Sequence, residues 1–197
     1  MREFILFARK ALTKPFDLND LVNANRMDLV ARTISNALFY SHGIRKDTII
    51  YASLNGPPRP PVFVKFDGSK IYGLLHDEKS IAKIINECLR KAKSEKEIEV
   101  TNGVFVSRLS FEEFIKSNYK EKVIYYLHEN GEDIRKIEIS DNNLFILGDH
   151  IGLPKKLEKF LIRLGAKKVS LGPISYLSSQ CVTIVHNELD RRKIYSD

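Results

Sequence analysis

The chain has 197 residues, 43% hydrophobic and 29% charged, enough to bury a sizeable core and unlike a disordered segment. Lysine and arginine outnumber aspartate and glutamate 32 to 25, a formal charge of +7 that favours a polyanionic partner such as nucleic acid. Two distant cysteines, Cys88 and Cys181, argue against a disulfide scaffold or a metal cluster, and no run of about 18 apolar residues is present to span a membrane.

Glu3 to Ala8 predicts a first strand, entered at once from Met1 without a signal-peptide cleavage pattern, so the expected location is the cytoplasm. Met27, Val30, Ala31, Ile34, Ala37, Leu38 and Ser41 then recur at helical spacing, and Gly43 ends that helix. Thr48 to Leu54 reads as a buried strand closed by the stiff turn from Asn55 to Pro61. Val62 to Phe66 follows, with Asp67-Gly68 predicting a hairpin into a strand from Ile71 to Leu75. Asp77 is placed to cap a helix carrying Ile81, Ile84, Ile85, Cys88 and Leu89. Lys91 to Glu99 reads as its charged end and an exposed loop. Val104 to Leu109 is a strand, and Ser110 with Glu113 forms a capping box for a short helix.

The pattern then becomes regular. Strands are predicted at Val123–Leu127, Leu144–Leu147 and Val169–Leu171, with a turn-rich stretch from His128 to Asp133 after the first. A helix starts near Pro154, presents Leu157, Phe160, Leu161 and Leu164, and stops at Gly165. A final helix carries Cys181, Val182, Val185 and Leu189. Alternating strands and helices imply an α/β sandwich on a largely parallel sheet, in one domain over 1–197.

Ligands of open α/β sheets bind beyond the carboxyl ends of the strands. Three such ends carry small or polar residues directly after a buried run: Leu127-His128, Gly148-Asp149 and Leu171-Gly172-Pro173. They are either tight turns or a site where a ligand reads the backbone. Neither GxGxxG after the first strand nor GxxxxGK[ST] is present, which disfavours an ordinary dinucleotide fold and a P-loop.

The segments Tyr125 to Asp133, Gly148 to Gly152 and Cys181 to Asp190 together resemble the archaeal tRNA pseudouridine-54 N1-methyltransferase family of the SPOUT superfamily. Met1 to Ile5, Arg26 to Leu29, Ser41 to Arg45, Gly56 to Pro58 and Pro60 to Val62 extend the resemblance over nearly the whole chain. It implies a SPOUT-type α/β fold with a C-terminal trefoil knot, and a homodimer packed through the knotted region. It also implies S-adenosylmethionine as cofactor and tRNA as substrate; separately, the cysteines and histidines show no metal-ligand spacing, so no metal is expected. The implied cofactor contacts are Leu127, Gly148, Leu171, Gly172, Pro173, Ile174, Ser175, Tyr176 and Cys181. One segment departs from the family: Ser175 to Gln180 replaces an expected Leu-His-Ala-Asn-His-like stretch, so no role borrowed from those histidines applies.

Methylation at a ring nitrogen requires alignment of the base and removal of its proton. Asp28 is the first candidate for the proton acceptor and Asp149 the second. Asp28 can equally pair with Arg32 one helical turn away, and Asp149 can serve as a loop cap. Cys181 reads as a pocket wall or a plain core residue rather than a nucleophile, because a nitrogen acceptor needs no attack on carbon. Arg26, Arg32, Arg45, Lys46 and Arg59 are the candidates for RNA contact, with Arg59 presented by the stiff proline-rich loop or simply solvated on it. Two alternatives stay open: a SPOUT enzyme acting on ribosomal RNA, and a non-catalytic basic RNA-binding protein.

Overall fold

A computed structural model describes residues 1–118 and 121–194. In chain order the elements are β1 (Arg2–Ala8), α1 (Met27–Leu38), β2 (Phe39–Tyr40), β3 (Gly43–Ile44), β4 (Thr48–Leu54), β5 (Val62–Asp67), α2 (Glu78–Lys91), β6 (Ile98–Thr101) and β7 (Val104–Ser107). They continue with α3 (Phe111–Asn118), β8 (Val123–Asp133), β9 (Asn143–Gly148), α4 (Lys155–Arg163), β10 (Lys167–Ser170) and α5 (Ser178–Ile194). Eight strands form one sheet in the order β10-β8-β9-β1-β4-β5-β7-β6. Strands β10, β8, β9, β1 and β4 pair in parallel, and β5, β7 and β6 extend that half antiparallel.

Strand β1 explains the layering. Successive side chains of a strand point to opposite faces, so a strand apolar throughout must be covered on both. Phe4 and Leu6 pack into one core with Met27 and Ile34 of α1, Ile81 and Ile85 of α2, and Val182 and Val185 of α5. Ile5 and Phe7 pack into the other with Phe111 and Ile115 of α3 and Leu157 and Leu161 of α4. The local signals act as expected at most helix ends. The Asp77 carboxylate accepts from the Ser80 amide at 2.8 Å, and the Ser110 amide donates to Glu113 at 2.9 Å while the Glu113 amide donates to the Ser110 hydroxyl. Pro154 precedes α4, and Gly165 follows it with φ +85°.

Several expectations are corrected. Helix α1 stops at Leu38, short of Ser41, because Phe39 and Tyr40 pair with Ile44 and Gly43 in a two-stranded ribbon. Ile71 to Leu75 is not a strand: β5 takes β7 as its partner, and Asp67 instead accepts from the Ser69 amide and hydroxyl to close a turn. The charged stretch after α2 runs into the edge strand β6, which begins at Ile98. Strand β8 runs on through the supposed turn to Asp133, and β10 begins at Lys167, two residues earlier than the pattern indicated.

Helix α5 is fastened to β1 and α1 by a buried polar group. His186 is 2% exposed; its Nε2 donates to the Ala37 carbonyl at 3.0 Å, and Nδ1 accepts from Arg2 at 3.1 Å. Arg2 also meets Asp190 at 2.6 Å, and Arg45 grips the same carboxylate at 2.8 Å. Burial, then the Arg45 and Arg2 charges, pull the His186 pKa down to about 3 from an ordinary 6.5, against the opposing pull of the Ala37 carbonyl and Asp190. The folded state therefore refuses a proton that the unfolded chain accepts below its ordinary pKa. Stability from this group is intact above that value and declines as pH falls toward the folded one. We expect urea unfolding to show a loss approaching about 1.4 kcal/mol per pH unit from this group between about pH 6 and 4. His186→Gln should lack that increment; parallel curves for the two proteins would contradict it.

Candidate functional site

Parallel strands place their carboxyl ends on the same edge of a sheet, and here β8, β9 and β10 do so side by side. The pairing of β8 with β10 is broken in a specific way. Tyr126 lies opposite Lys168, yet Glu132 lies opposite Val169, so residues 127–131 arch out of the ladder. The arch returns at Gly131, where a Cβ would stand 2.4 Å from the Val169 carbonyl carbon. Glycine is required there by the closeness of the neighbouring backbone.

The arch forms one wall of a cleft of about 580 Å³. Gly148 to Leu153, following β9, forms the second wall, and Leu171 to Leu177, following β10, forms most of the third. Eight of the nine residues expected to contact a cofactor line it: Leu127, Gly148, Leu171, Gly172, Ile174, Ser175, Tyr176 and Cys181. Pro173 stands exposed between two of them without lining it. Two hydrogen bonds draw the walls together. The Ser175 hydroxyl donates to Glu129 on the arch at 2.5 Å, and the Ser178 hydroxyl at the start of α5 donates to the Gly148 carbonyl at 2.9 Å.

Gly148 serves differently from the expected ligand approach. A Cβ on it would lie 2.7 Å from the Gly152 Cα, so the space is taken by the chain's own loop. Asp149 is the cap that shapes this loop. Its carboxylate accepts from the Arg9 amide at 2.7 Å and the Ile151 amide at 2.9 Å, while its own amide donates to the Phe7 carbonyl. Cys181 is half-buried, and burial pushes its thiol up to about 11, so it is held protonated. Cys88 lies in the core away from the cleft.

Asp28 sits in the first turn of α1, next to the cleft-lining Leu29. Both its oxygens are taken by Arg26, at 3.0 and 3.1 Å, and Arg32 lies 3.7 Å away. Burial alone would raise its pKa, but the hydrogen bonds and charge of Arg26, with the charge of Arg32, hold the carboxyl below the usual range. Arg26 also feels the charge of Asp149, and Asn25 and Arg26 both have left-handed backbones, with φ 53° and 66°. Strain of this kind in non-glycine residues is a mark of functional sites.

The expected RNA contacts divide. Arg26 is tied to Asp28 but two-fifths exposed. Arg32 bonds Glu78 at 2.7 Å, Arg45 is held on Asp190 at 2.8 Å, and Lys46 donates to the Ile71 carbonyl at 3.0 Å, so each of these three has a partner within the chain. Arg59 is exposed, and its guanidinium has no partner among the described residues. The pattern also missed Tyr126, Glu129 and Glu158. The Tyr126 hydroxyl donates to Glu158 of α4 at 3.0 Å inside the cleft. Glu158 lies one turn from Leu161 and so joins the inward side of α4, a signal that helical spacing contains. A second cleft of about 820 Å³, between the β2–β3 ribbon and α5, shares no residue with the first.

A family described as SAM-dependent RNA methyltransferase matches residues 1–194. A protein of Methanococcus aeolicus named tRNA (pseudouridine(54)-N(1))-methyltransferase is 44% identical over 203 residues, covering 98% of this chain and 100% of its own. The protein of the same name from Methanocaldococcus jannaschii is 42% identical, with 98% of each chain covered. The crystal structure of Archaeoglobus fulgidus Nep1 bound to S-adenosylhomocysteine superposes with a TM-score of 0.62 at 12% identity, over 98% of this chain and 99% of that one. That likeness shows a shared mixed α/β fold with a large, mostly parallel sheet.

The packing at Gly148 has a direct consequence. Gly148→Ala should force the Gly152 backbone aside and cost about 1–3 kcal/mol of stability, the usual penalty of overpacking. Urea unfolding would measure it. A midpoint equal to that of the unsubstituted protein would show that the loop yields freely.

Proposed function

We propose, for a chain that belongs to the SAM-dependent RNA methyltransferase family, the transfer of a methyl group from S-adenosylmethionine to N1 of pseudouridine 54 in tRNA. The observation that carries this is the convergence of three parallel-strand ends on one cleft, in a chain related over its full length to enzymes named for that reaction. The cleft fits the cofactor. Its volume lies within the range of small-ligand sites, Leu127, Leu171 and Ile174 offer apolar walls for adenine, and Glu129 and Glu158 supply negative charge for a cationic ligand. When bound, S-adenosylmethionine supplies a methyl group already activated on a sulfonium centre.

The chain's own residues then have a limited task. The arch, the Gly148 loop and the Leu171–Leu177 loop hold the ligand from three sides, with the Ser175–Glu129 bond closing the circuit. Alignment of acceptor and donor in such a site is worth several kcal/mol. Cys181 forms wall, since a protonated thiol is a poor nucleophile and a nitrogen acceptor requires none. Asp28 is our proposed acceptor of the N1 proton. In the conformation described Arg26 occupies both its oxygens, so it accepts a proton only once that pair opens.

We also propose the finer fold features: one domain over 1–197, a C-terminal trefoil knot, a homodimer and a cytoplasmic location. Helix α4 packs on one face of the sheet and α5 on the other, so the chain crosses over after β10. Ser178 at one end of α5 bonds the β9 terminus, while Arg192 at the other end donates to the carbonyls of Ile134 and Ile137 between β8 and β9. This wrapping supports the knot. Ile174 and Leu177 are 61% and 56% exposed on the loop beside the cleft, and packing of a second copy through the knotted region would cover them. A tRNA substrate supports the cytoplasm. Among the described residues no helix is long and apolar enough to cross a membrane, and no cluster of potential metal ligands occurs.

Incubation with S-adenosylmethionine and tRNA carrying pseudouridine 54, followed by nucleoside mass spectrometry, should yield N1-methylpseudouridine. Asp28→Asn should lower the single-turnover rate by about a hundredfold, the usual contribution of general base catalysis. No product above the enzyme-free control, or product only with ribosomal RNA fragments, would overturn the reading; an unchanged Asp28→Asn rate would remove Asp28 from it.

A further inference from the structure

A positively charged protein acting on RNA must put cations where the phosphates run, and Arg32, Arg45 and Lys46 each already have a partner within the chain. The loops after β1 and β4 offer another set. Arg9, Lys10, Lys14 and Arg59 are all exposed, and their side chains have no hydrogen bond or ion pair among the described residues. The two loops are bound to one another at close range. The Gly56 amide donates to the Ala11 carbonyl at 2.9 Å, and the Thr13 amide donates to the Pro57 carbonyl at 2.8 Å. The Thr13 side chain, only 2% exposed as a residue, donates to the Gly56 carbonyl at 2.9 Å and accepts from the Arg59 amide at 2.9 Å. A Cβ on Gly56 would stand 2.1 Å from the Lys10 carbonyl oxygen, so the approach depends on glycine.

Both borders of this platform are fixed as well. On the cleft side, the Arg9 amide is held by the carboxylate of Asp149, itself a cleft residue. On the far side, Arg108 donates to the Arg59 carbonyl at 2.7 Å and to the Ala92 carbonyl at 3.0 Å, and Glu95 is the acidic residue at that outer end. The backbone beneath the four cations is therefore pinned from the cleft outward, while the cationic heads remain in water. Phosphate contacts position a nucleic acid without reading its sequence.

We propose that Arg9, Lys10, Lys14 and Arg59 form a rigid basic shelf that binds the tRNA backbone flanking the nucleotide in the cleft. The shelf rests on the tRNA methyltransferase reading for the identity of its RNA. It supplies grip and orientation, and the cleft supplies chemistry.

The test is binding of the full-length protein to tRNA transcript between 50 and 200 mM salt, the range over which phosphate contacts are read out. Each lost contact flattens the slope of log affinity against log salt by about 0.7 to 0.9. Lys14→Ala with Arg59→Ala should therefore flatten it by roughly 1.5 and weaken binding, whereas Lys116→Ala on α3 should leave it unchanged. Calorimetry with S-adenosylhomocysteine, giving the same affinity for the double variant as for the unsubstituted protein, establishes that its cleft is intact. A slope in the double variant equal to that of the unsubstituted protein would overturn the shelf, whatever the methylation result. A flattened slope without any N1-methylpseudouridine would keep the shelf and overturn the reaction.

Discussion

Parallel pairing is the constraint from which the site follows. Strands that run the same way must end on the same edge, and β10, β8, β9 and β1 are consecutive neighbours running the same way. Three loops are thereby brought together without any of them being close in sequence. The interruption between β8 and β10 completes the arrangement, because residues left over between two matched pairings have nowhere to go but outward. A perfect ladder at that point would close the space that the arch of 127–131 opens.

The third wall needs a separate anchor, since the loop from Leu171 to Leu177 would otherwise be free to move away. Helix α5 provides it. The buried contact of His186 with Arg2 and Ala37, and the two arginines on Asp190, fix the body of the helix against β1 and α1. Ser178 then fixes its first turn to the end of β9. A buried charged group with one partner missing is costly, so the cluster tolerates little displacement. Placement of this wall of the cleft is in this sense inherited from polar contacts on the far side of α5.

Much of this was legible in the residues. The apolar run of β1, the periodicity of α1 and α2, the Asp77 and Ser110–Glu113 caps and the three glycine- or loop-bearing strand ends are local signals, and local signals survive folding. Two kinds of feature were not. The return of β8 to the ladder at Glu132 and Asp133 depends on a neighbour, β10, that lies over thirty residues away in the chain; the turn-forming composition of the stretch from His128 does not reveal it. The fate of the arginines was equally hidden. Nothing local distinguishes Arg45, locked on Asp190 at the other end of the chain, from Arg59, which is free for a partner. Tertiary pairing decides which cations are left without a partner in the chain, and that can be read only after folding.

Placement of the cofactor at the three strand ends is the claim on which the rest stands. A titration of isotopically labelled protein with S-adenosylhomocysteine, followed by amide NMR, tests it residue by residue. The largest shifts are expected at Leu127, Gly148, Leu171, Gly172, Ile174 to Tyr176 and Cys181, with little change at Arg45 and Asn187 in the larger cleft beside α5. Shifts confined to that larger cleft, or saturation without change at Leu127 and Gly148, would contradict it.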